Sequence, residues 1–380
     1  MNLADMLSYA DIYQLSRIAS NYDCECDGHS KKELIQSILS TVSRKDIFER
    51  QIDSLSLEDL RFMNSILFDS RELFSLEELI ARVRLTQFEE TAETAEIAET
   101  AETEMNPRDM IAKFKQRGWL FNGYSQQTRY LFQVPGDLKT RFSEALANHF
   151  QKKLVYVGEP PVYRDEYRLI EDDIQLFLLY LHQHDVALTA DGFIYKRNLQ
   201  QLLELSSVKE DLTGRGPWRF GYGRKFKEYP SRFSLIYDYA YFQELISEDG
   251  SRLSLTDRGR TAVEAARKTE LKEIYRFWIK LYRGPIPNLV SLLHWIEKLS
   301  KMWVTSESLA NVLRKLIRPY YYDTPDSILE SRILQMMMHL GLIRIGEDEI
   351  HGKVVMVTKL GSEIIRGYEN GNDEAIQLKM

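Results

Sequence analysis

The feature that most restricts the fold is a pattern that recurs along the C-terminal two-thirds of the chain. A helical stretch ends at a polar turn and an apolar pair follows. Two short β-prone runs then flank a second polar turn, and Thr-x-x-Gly leads into another helix. One copy starts at Tyr237-Asp238-Tyr239-Ala240-Tyr241-Phe242 and continues through ELISEDGSRLSLTDRG to Gly259. Another starts at Leu334, passes through Met336-Met337-Met338 and Leu340-Gly341-Leu342-Ile343, and ends at Val357-Thr358-Lys359-Leu360-Gly361. A looser copy runs from Asp109 through AKFKQRGWLFNG to YLFQVPGDL. Two β-prone runs around a polar turn read as a hairpin, and helices followed by a two-stranded hairpin are the parts of a winged helix. The expectation is a mainly α fold with minor α+β character: an array of winged-helix-like units with short two-stranded wings. The competing expectation is a generic helical protein with surface hairpins.

A second feature divides the chain. Residues 86–104 (TQFEETAETAEIAETAETE) hold seven glutamates and no Lys or Arg. Like charges three apart repel and almost nothing there can be buried, so a solvated linker is expected. The net charge is −7, so the rest of the chain is neutral overall and local patches must decide which partners it attracts. Before the run, Ser30-Lys31-Lys32-Glu33 and Ser75-Leu76-Glu77-Glu78 have the form of capping boxes ahead of apolar stripes. The expected organisation is a helical N-terminal domain over 1–85, the acidic linker 86–104, winged-helix-like units over 105–160, 161–268 and 269–370, and a tail at 371–380.

Motifs of catalysis do not stand out. The chain has no G-x-x-x-x-G-K-[ST], G-x-S-x-G or H-E-x-x-H, and no acidic pair is marked out by a motif. No catalytic residue, cofactor or metal is therefore expected. Cys24, Cys26 and His29 in NYDCECDGH have no standard zinc spacing and lack a fourth ligand, so they read as a polar interhelical loop. With no basic, apolar leader and no run of about 18 apolar residues, a cytoplasmic protein without membrane contact is expected.

The stretch most suggestive of a partner is 209–232, KEDLTGRGPWRFGYGRKFKEYPSR. Seven basic residues face three acidic ones, and aromatics alternate with the cations. Cations displace counterions from phosphates while flat rings stack on exposed bases. The candidate nucleic-acid residues are Arg215, Trp218, Arg219, Phe220, Tyr222, Arg224, Lys225 and Lys227. Glycines at 214, 216, 221 and 223 are expected to keep the loop pliable. The alternative is a loop whose aromatics pack inward. Lys196 and Arg197, after a turn at Gly192, are expected to open a helix whose N-terminal cations invite an anion or are simply solvated.

Two resemblances follow from these residues. Residues 7–39, with Leu7, Ile12, Leu15 and Ile18, a polar loop, then Ser30-Lys31-Lys32-Glu33-Leu34-Ile35, resemble a SAP or Rho-N type helix–loop–helix. That resemblance implies nucleic-acid binding, although the acidic residues Asp23, Glu25 and Asp27 depart from what a phosphate binder prefers. Over about 50–367 the chain is similar to the N-terminal, helicase-associated region of bacterial XPB-type helicases. The similarity is carried by Ser56-Leu57-Glu58-Asp59-Leu60, by Arg117-Gly118-Trp119-Leu120-Phe121 with Val134-Pro135, by Val186-Ala187-Leu188-Thr189 to Gly192 with Lys196-Arg197, and by the elements at 340–343 and 357–361. The motor of that family is missing from the sequence. The resemblance thus implies a non-catalytic accessory module that binds duplex or forked DNA, with a superfamily-2 helicase or a nuclease as partner. The alternative is an adaptor of winged-helix units that binds protein and no nucleic acid.

Overall fold

A computed structural model describes residues 1–24, 26, 28–69, 71–88, 106–214, 222–265 and 269–368. The protein is 56% helix and 11% strand, so the mainly α class holds. The chain divides into two units, Met1–Lys153 and Leu154–Met380.

The first unit contains α1 (Leu3–Tyr9), α2 (Ile12–Asn21), α3 (Lys31–Ser43), α4 (Lys45–Asp53), α5 (Leu57–Leu67), α6 (Leu76–Thr86), α7 (Pro107–Gln116), strands β1 (Phe121–Asn122) and β2 (Phe132–Gln133), and α8 (Gly136–Gln151). Its helix starts were legible. Ser30, Ser56 and Ser75 each accept a hydrogen bond from the backbone amide three residues on, which satisfies one orphan donor of the first turn. The reciprocal half of the capping box forms at Ser56, where Asp59 reaches back to the Ser56 amide.

The acidic run does not separate two domains. Helices α6 and α7 on its two sides share one core, with Leu79 and Val83 from α6 and Met110, Ile111 and Phe114 from α7 buried. Phe62 of α5 meets the Phe114 ring edge-on at 4.9 Å. Phe74 exchanges two backbone hydrogen bonds of 2.8 Å with Phe132, so it acts as a third strand beside β2. The run itself lies outside the described residues from 89 to 105. Composition marked the right place but the wrong kind of boundary. Lengthening a surface connection costs little once the ends are held together, so a low-complexity insert can interrupt a domain.

The second unit contains β3 (Val162–Arg164), α9 (Leu169–Gln183), β4 (Val186–Ala187), α10 (Lys196–Leu205), α11 (Ser231–Phe242), β5 (Ile246–Asp249), β6 (Arg252–Leu255), α12 (Asp257–Glu264), α13 (Leu271–Tyr282) and α14 (Leu289–Leu299). It continues with β7 (Val304–Thr305), α15 (Ser306–Leu313), a 3-10 turn at Arg314–Leu316, α16 (Pro325–Ser327), a π-helical segment at Ile328–Leu334, α17 (Gln335–His339), β8 (Ile343–Asp348), β9 (Gly352–Val357) and α18 (Lys359–Arg366). Residues 154–160, expected in the preceding unit, belong here. Val155 and Tyr156 pair along β7 through the Thr305 amide and the Val304 bridge.

One connection pattern is traced three times. A helix, a short strand, two helices and a hairpin follow in order, and the short strand pairs antiparallel with the second strand of the hairpin. The passes are α5, Phe74, α6, α7, β1–β2; then α9, β4, α10, α11, β5–β6; then α14, β7, α15, the π segment with α17, and β8–β9. The sheet orders β4-β6-β5 and β3-β8-β9-β7 record this pairing.

The recurring sequence pattern now has a physical cause. In each copy one residue after the third helix sits in the left-handed region: Gly118 (φ 67°), Glu244 (φ 56°) and Gly341 (φ 67°). The next amide, of Trp119, Leu245 or Leu342, donates back to the helix carbonyl five residues earlier. This is how a helix C-terminus satisfies its last carbonyls while turning into a strand. After the hairpin, Thr256 and Thr358 cap α12 and α18 by accepting from Gly259 and Gly361 amides at 3.0 and 2.9 Å. Those glycines lie where a Cβ would collide with the carbonyl oxygens of Leu245 and Leu342. The looser first copy keeps the left-handed glycine but ends its hairpin on Pro135, without the Thr cap.

Candidate nucleic-acid interface

Arg215, Trp218, Arg219 and Phe220 lie outside the described residues, as do Gly216 and Gly221. Among the described residues of 209–232, Tyr222, Lys225, Tyr229 and Arg232 turn inward. Tyr222 is buried, donates to Asp323 Oδ2 at 3.0 Å and packs edge-on against Tyr282 and Tyr320. Arg224 makes a two-pronged pair with Glu248, both bonds 3.1 Å, and its guanidinium lies 3.6 Å over the Tyr241 ring. Lys225 is buried and gives its ammonium to the Gly192 carbonyl at 2.5 Å, beside Glu248. Lys227 is exposed. Tyr229 is fully buried and its hydroxyl accepts from the Ile194 amide at 2.8 Å. Even the acid Glu210 is structural, accepting from the Arg232 and Phe233 amides that open α11.

The cations at 224 and 225 are therefore tied to Glu248 and to backbone. Replacing them together with Arg215 and Arg219 would weaken the fold as well as any hold on phosphate. Gly223 is required for close approach, because a Cβ there would stand 2.5 Å from Asp238 Oδ2. Lys196 and Arg197 do open α10, both are exposed, and among the described residues neither has an acidic partner within 4 Å.

Beneath this loop Asp238 is fully buried and accepts the Arg224 amide at 2.8 Å. Burial pushes its carboxyl up to about 7, against the opposing pull of the Arg224 amide and the charges of Arg224 and Lys225. The folded protein thus holds this proton to a higher pH than the unfolded chain, whose carboxyl titrates near 3.8. The contribution is complete in acid, declines as pH rises above about 4, and is lost as pH passes about 7. Asp238→Asn is expected to be stabilised relative to the parent by about 2 kcal/mol more at pH 8 than at pH 5. Urea titrations of both proteins at the two pH values check this; a difference independent of pH would refute it.

In a domain that reads duplex DNA, the third helix of the pattern must keep one face free to enter the major groove. Here α11 has nine of its twelve residues buried, and Met336–His339 of α17 are buried as well. These two helices pack on each other. Between them Arg232, 1% exposed, pairs with Asp173 at 2.6 Å and Glu166 at 3.3 Å, and His339 Nδ1 lies 2.9 Å from Glu166. Burial alone would raise the Glu166 carboxyl, but His339, Arg164 and Arg232 hold it below its ordinary value. The second unit is thus a fused pair of copies whose third helices form its core.

The first unit differs. Its α7 is buried on one side only and carries Arg108 and Lys115 outside the core, while Lys113 is paired with the buried Asp59. Four tyrosines around it are more than 60% exposed: Tyr9, Tyr13, Tyr124 and Tyr130. Tyr9 and Tyr124 stack on each other, with ring centres 5.0 Å apart at 23°. Arg17 lies 5.6 Å over the Tyr13 ring and Arg129 lies 4.6 Å over the Tyr130 ring. Lys115 reaches Asn122 at 2.8 Å, and the Asn122 amide holds the Arg129 carbonyl at 3.0 Å. Lys31 donates to the Ser8 carbonyl beside Tyr9. Among the described residues Arg17, Lys31, Lys115 and Arg129 form no ion pair, although Asp11 lies near Lys115.

This surface is presented by a braced hairpin. The Gly123 amide donates to Leu131 O at 3.0 Å, which puts Tyr124 and Tyr130 next on either side of the loop. Ser125 and Thr128 hydroxyls meet at 2.8 Å and fix the tip. The base rests on Trp119, which is fully buried between Phe114 and Phe142 and donates its indole N–H to the Tyr22 hydroxyl at 2.9 Å. None of the four tyrosines, nor Arg17 or Arg129, stood out in the sequence. Tyr13 and Arg17 stand one helical turn apart and Arg129-Tyr130 sits at a hairpin tip, and only folding brings Arg17 near Lys115, which reaches the hairpin through Asn122.

Cys24 donates to Thr41 Oγ1 at 3.4 Å in the loop between α2 and α3. No group of three metal-ligating side chains occurs among the described residues, and no helix among them is long and apolar enough to cross a membrane. The fold and this surface define a mainly α protein of three repeated helix-and-hairpin passes whose first unit carries an exposed aromatic and cationic face. No protein-family model matches the chain, and neither does any curated protein or solved structure.

Proposed function

We propose that this is a non-catalytic, DNA-binding accessory protein built from three winged-helix units, which engages duplex or forked DNA through its first unit. The observation that carries the reading is the exposed face of that unit, where Arg17, Lys115, Arg129 and Lys31 lie among four solvent-facing tyrosines. Such cations bind by releasing counterions from phosphates, so affinity should fall steeply with salt. The second unit, its third helices spent on its own core, serves as a rigid body that docks a partner. A superfamily-2 helicase or a nuclease is the partner class that the likeness to XPB-type N-terminal regions suggests, with the cytoplasm as its setting.

The test is fluorescence anisotropy of labelled single-stranded, duplex and forked DNA across a salt series. Binding is expected to weaken linearly in log salt. In the variant Arg17→Ala with Arg129→Ala the slope is expected to shrink by about 0.9 for each duplex phosphate that is no longer neutralised. Both arginines are exposed, so the fold should be unaffected. A second reading, an adaptor that binds only protein, is favoured by the burial of α11 and α17 and by the internal pairing of Arg224 and Lys225. Folded protein that binds no DNA at low salt would select it.

A further inference from the structure

We infer that the exposed face of the first unit is a stacking platform for single-stranded nucleic acid, with Tyr9, Tyr124, Tyr130 and Tyr13 receiving unpaired bases. This rests on the proposed nucleic-acid function and specifies the state of the strand. Inside a duplex the faces of the bases are already stacked on one another, so a protein ring has no flat surface to meet except at an end or fork. A single strand exposes those faces, and ring stacking on them is tolerant of sequence because every base has one.

The tyrosines here are arranged for that use. An exposed tyrosine alone carries no meaning, but these occur with specific neighbours. Tyr9 and Tyr124 come from distant parts of the chain, the end of α1 and the hairpin loop, yet stack face to face. The pair leaves two outward faces, one on each ring. Tyr13 and Tyr130 each have a guanidinium over the ring and are still 69% and 70% exposed. Arg17 and Arg129 therefore stand where the phosphate beside a stacked base would lie. Lys31 adds a cation near Tyr9, and Lys115 joins α7 to the hairpin. Because Ser125, Thr128 and Asn122 already hold the hairpin in place, little ordering is needed when a strand arrives. The charge complementarity favours a polyanion over an apolar protein surface.

The experiment compares a labelled 15-nucleotide oligo-dT, a 15-nucleotide oligo-U and a 15-base-pair duplex, using the full chain and two variants. One variant carries Tyr9→Ala and Tyr124→Ala, the other Tyr9→Phe and Tyr124→Phe. The alanine pair is expected to bind a single strand about tenfold or more weakly, in keeping with the removal of one or two stacks, and duplex less than twofold more weakly. The phenylalanine pair, which keeps the rings, should retain single-strand affinity. The dT and U arms separate DNA from RNA as the source of the strand. All four positions are mostly exposed, so circular dichroism melts should coincide with the parent. If the parent binds duplex while the alanine pair binds oligo-dT and oligo-U as well as the parent does, the platform is wrong and the broader DNA-binding reading survives. If the parent binds none of the three probes, both fall together.

Discussion

Arg232→Ala is expected to cost about 3–5 kcal/mol, the largest effect of any single substitution in this protein. The side chain is fully inside the second unit, where its guanidinium balances Asp173 at 2.6 Å and Glu166 at 3.3 Å. Removing it leaves two carboxylates buried with too little positive charge. His339 and the half-exposed Arg164 still reach Glu166, but among the described residues Asp173 keeps only the Ser207 amide at 2.7 Å. The destabilisation is not a measure of what the pair adds over an apolar core, since burying charge has its own cost. A companion variant with Arg232→Met, Glu166→Gln and Asp173→Asn separates the two quantities and should recover most of the stability. Urea unfolding of the three proteins decides it. Parent-like stability in Arg232→Ala would mean that the cluster is not closed to water.

Gly361→Ala should be nearly as damaging, at about 3 kcal/mol or more, because the space is occupied by backbone that cannot move aside. A Cβ there would approach the Leu342 carbonyl oxygen to within a distance that no packed atoms tolerate, and Gly259 stands in the same relation to Leu245. These close approaches join the helix after each hairpin to the start of the hairpin's first strand. Replacing the capping Thr358 by Ala removes the bond accepted from the Gly361 amide and the one its hydroxyl gives to the Gly341 and Leu342 carbonyls, and is expected to cost about 1–2 kcal/mol without any backbone collision. Gly284→Ala, with nothing within 4 Å of the added methyl, should stay within about 0.5 kcal/mol of the parent. Thermal and chemical unfolding of the series would rank them. Equal stability of Gly361→Ala and Gly284→Ala would remove the close-approach explanation.

Much of the fold was legible because its signals are local. Ser30, Ser56 and Ser75 announce helices through bonds that span three residues. Thr256-x-x-Gly259 and Thr358-x-x-Gly361 mark the two later hairpin exits for the same reason. The domain boundary was misplaced at the acidic run, because composition reports what a segment cannot bury and is silent on whether its two ends meet. Phe74 and Phe132 pair across 58 residues of sequence, and no local feature of either discloses it.

The candidate site divides along the same line. The basic and aromatic content of 209–232 was real, but its described cations at 224 and 225 found acids and carbonyls elsewhere in the unit. Charge counted along a chain cannot distinguish a cation offered to solvent from one already paired. The exposed tyrosines of the first unit were overlooked for the converse reason, since Tyr9, Tyr13, Tyr124 and Tyr130 are scattered in sequence. By itself the sequence determined the helices, the hairpins and their repetition, all of which depend on caps, turns and periodicity within a few residues. The tertiary structure alone decided which helices are sealed in the core and which cations face solvent, because burial and pairing depend on neighbours that only folding supplies.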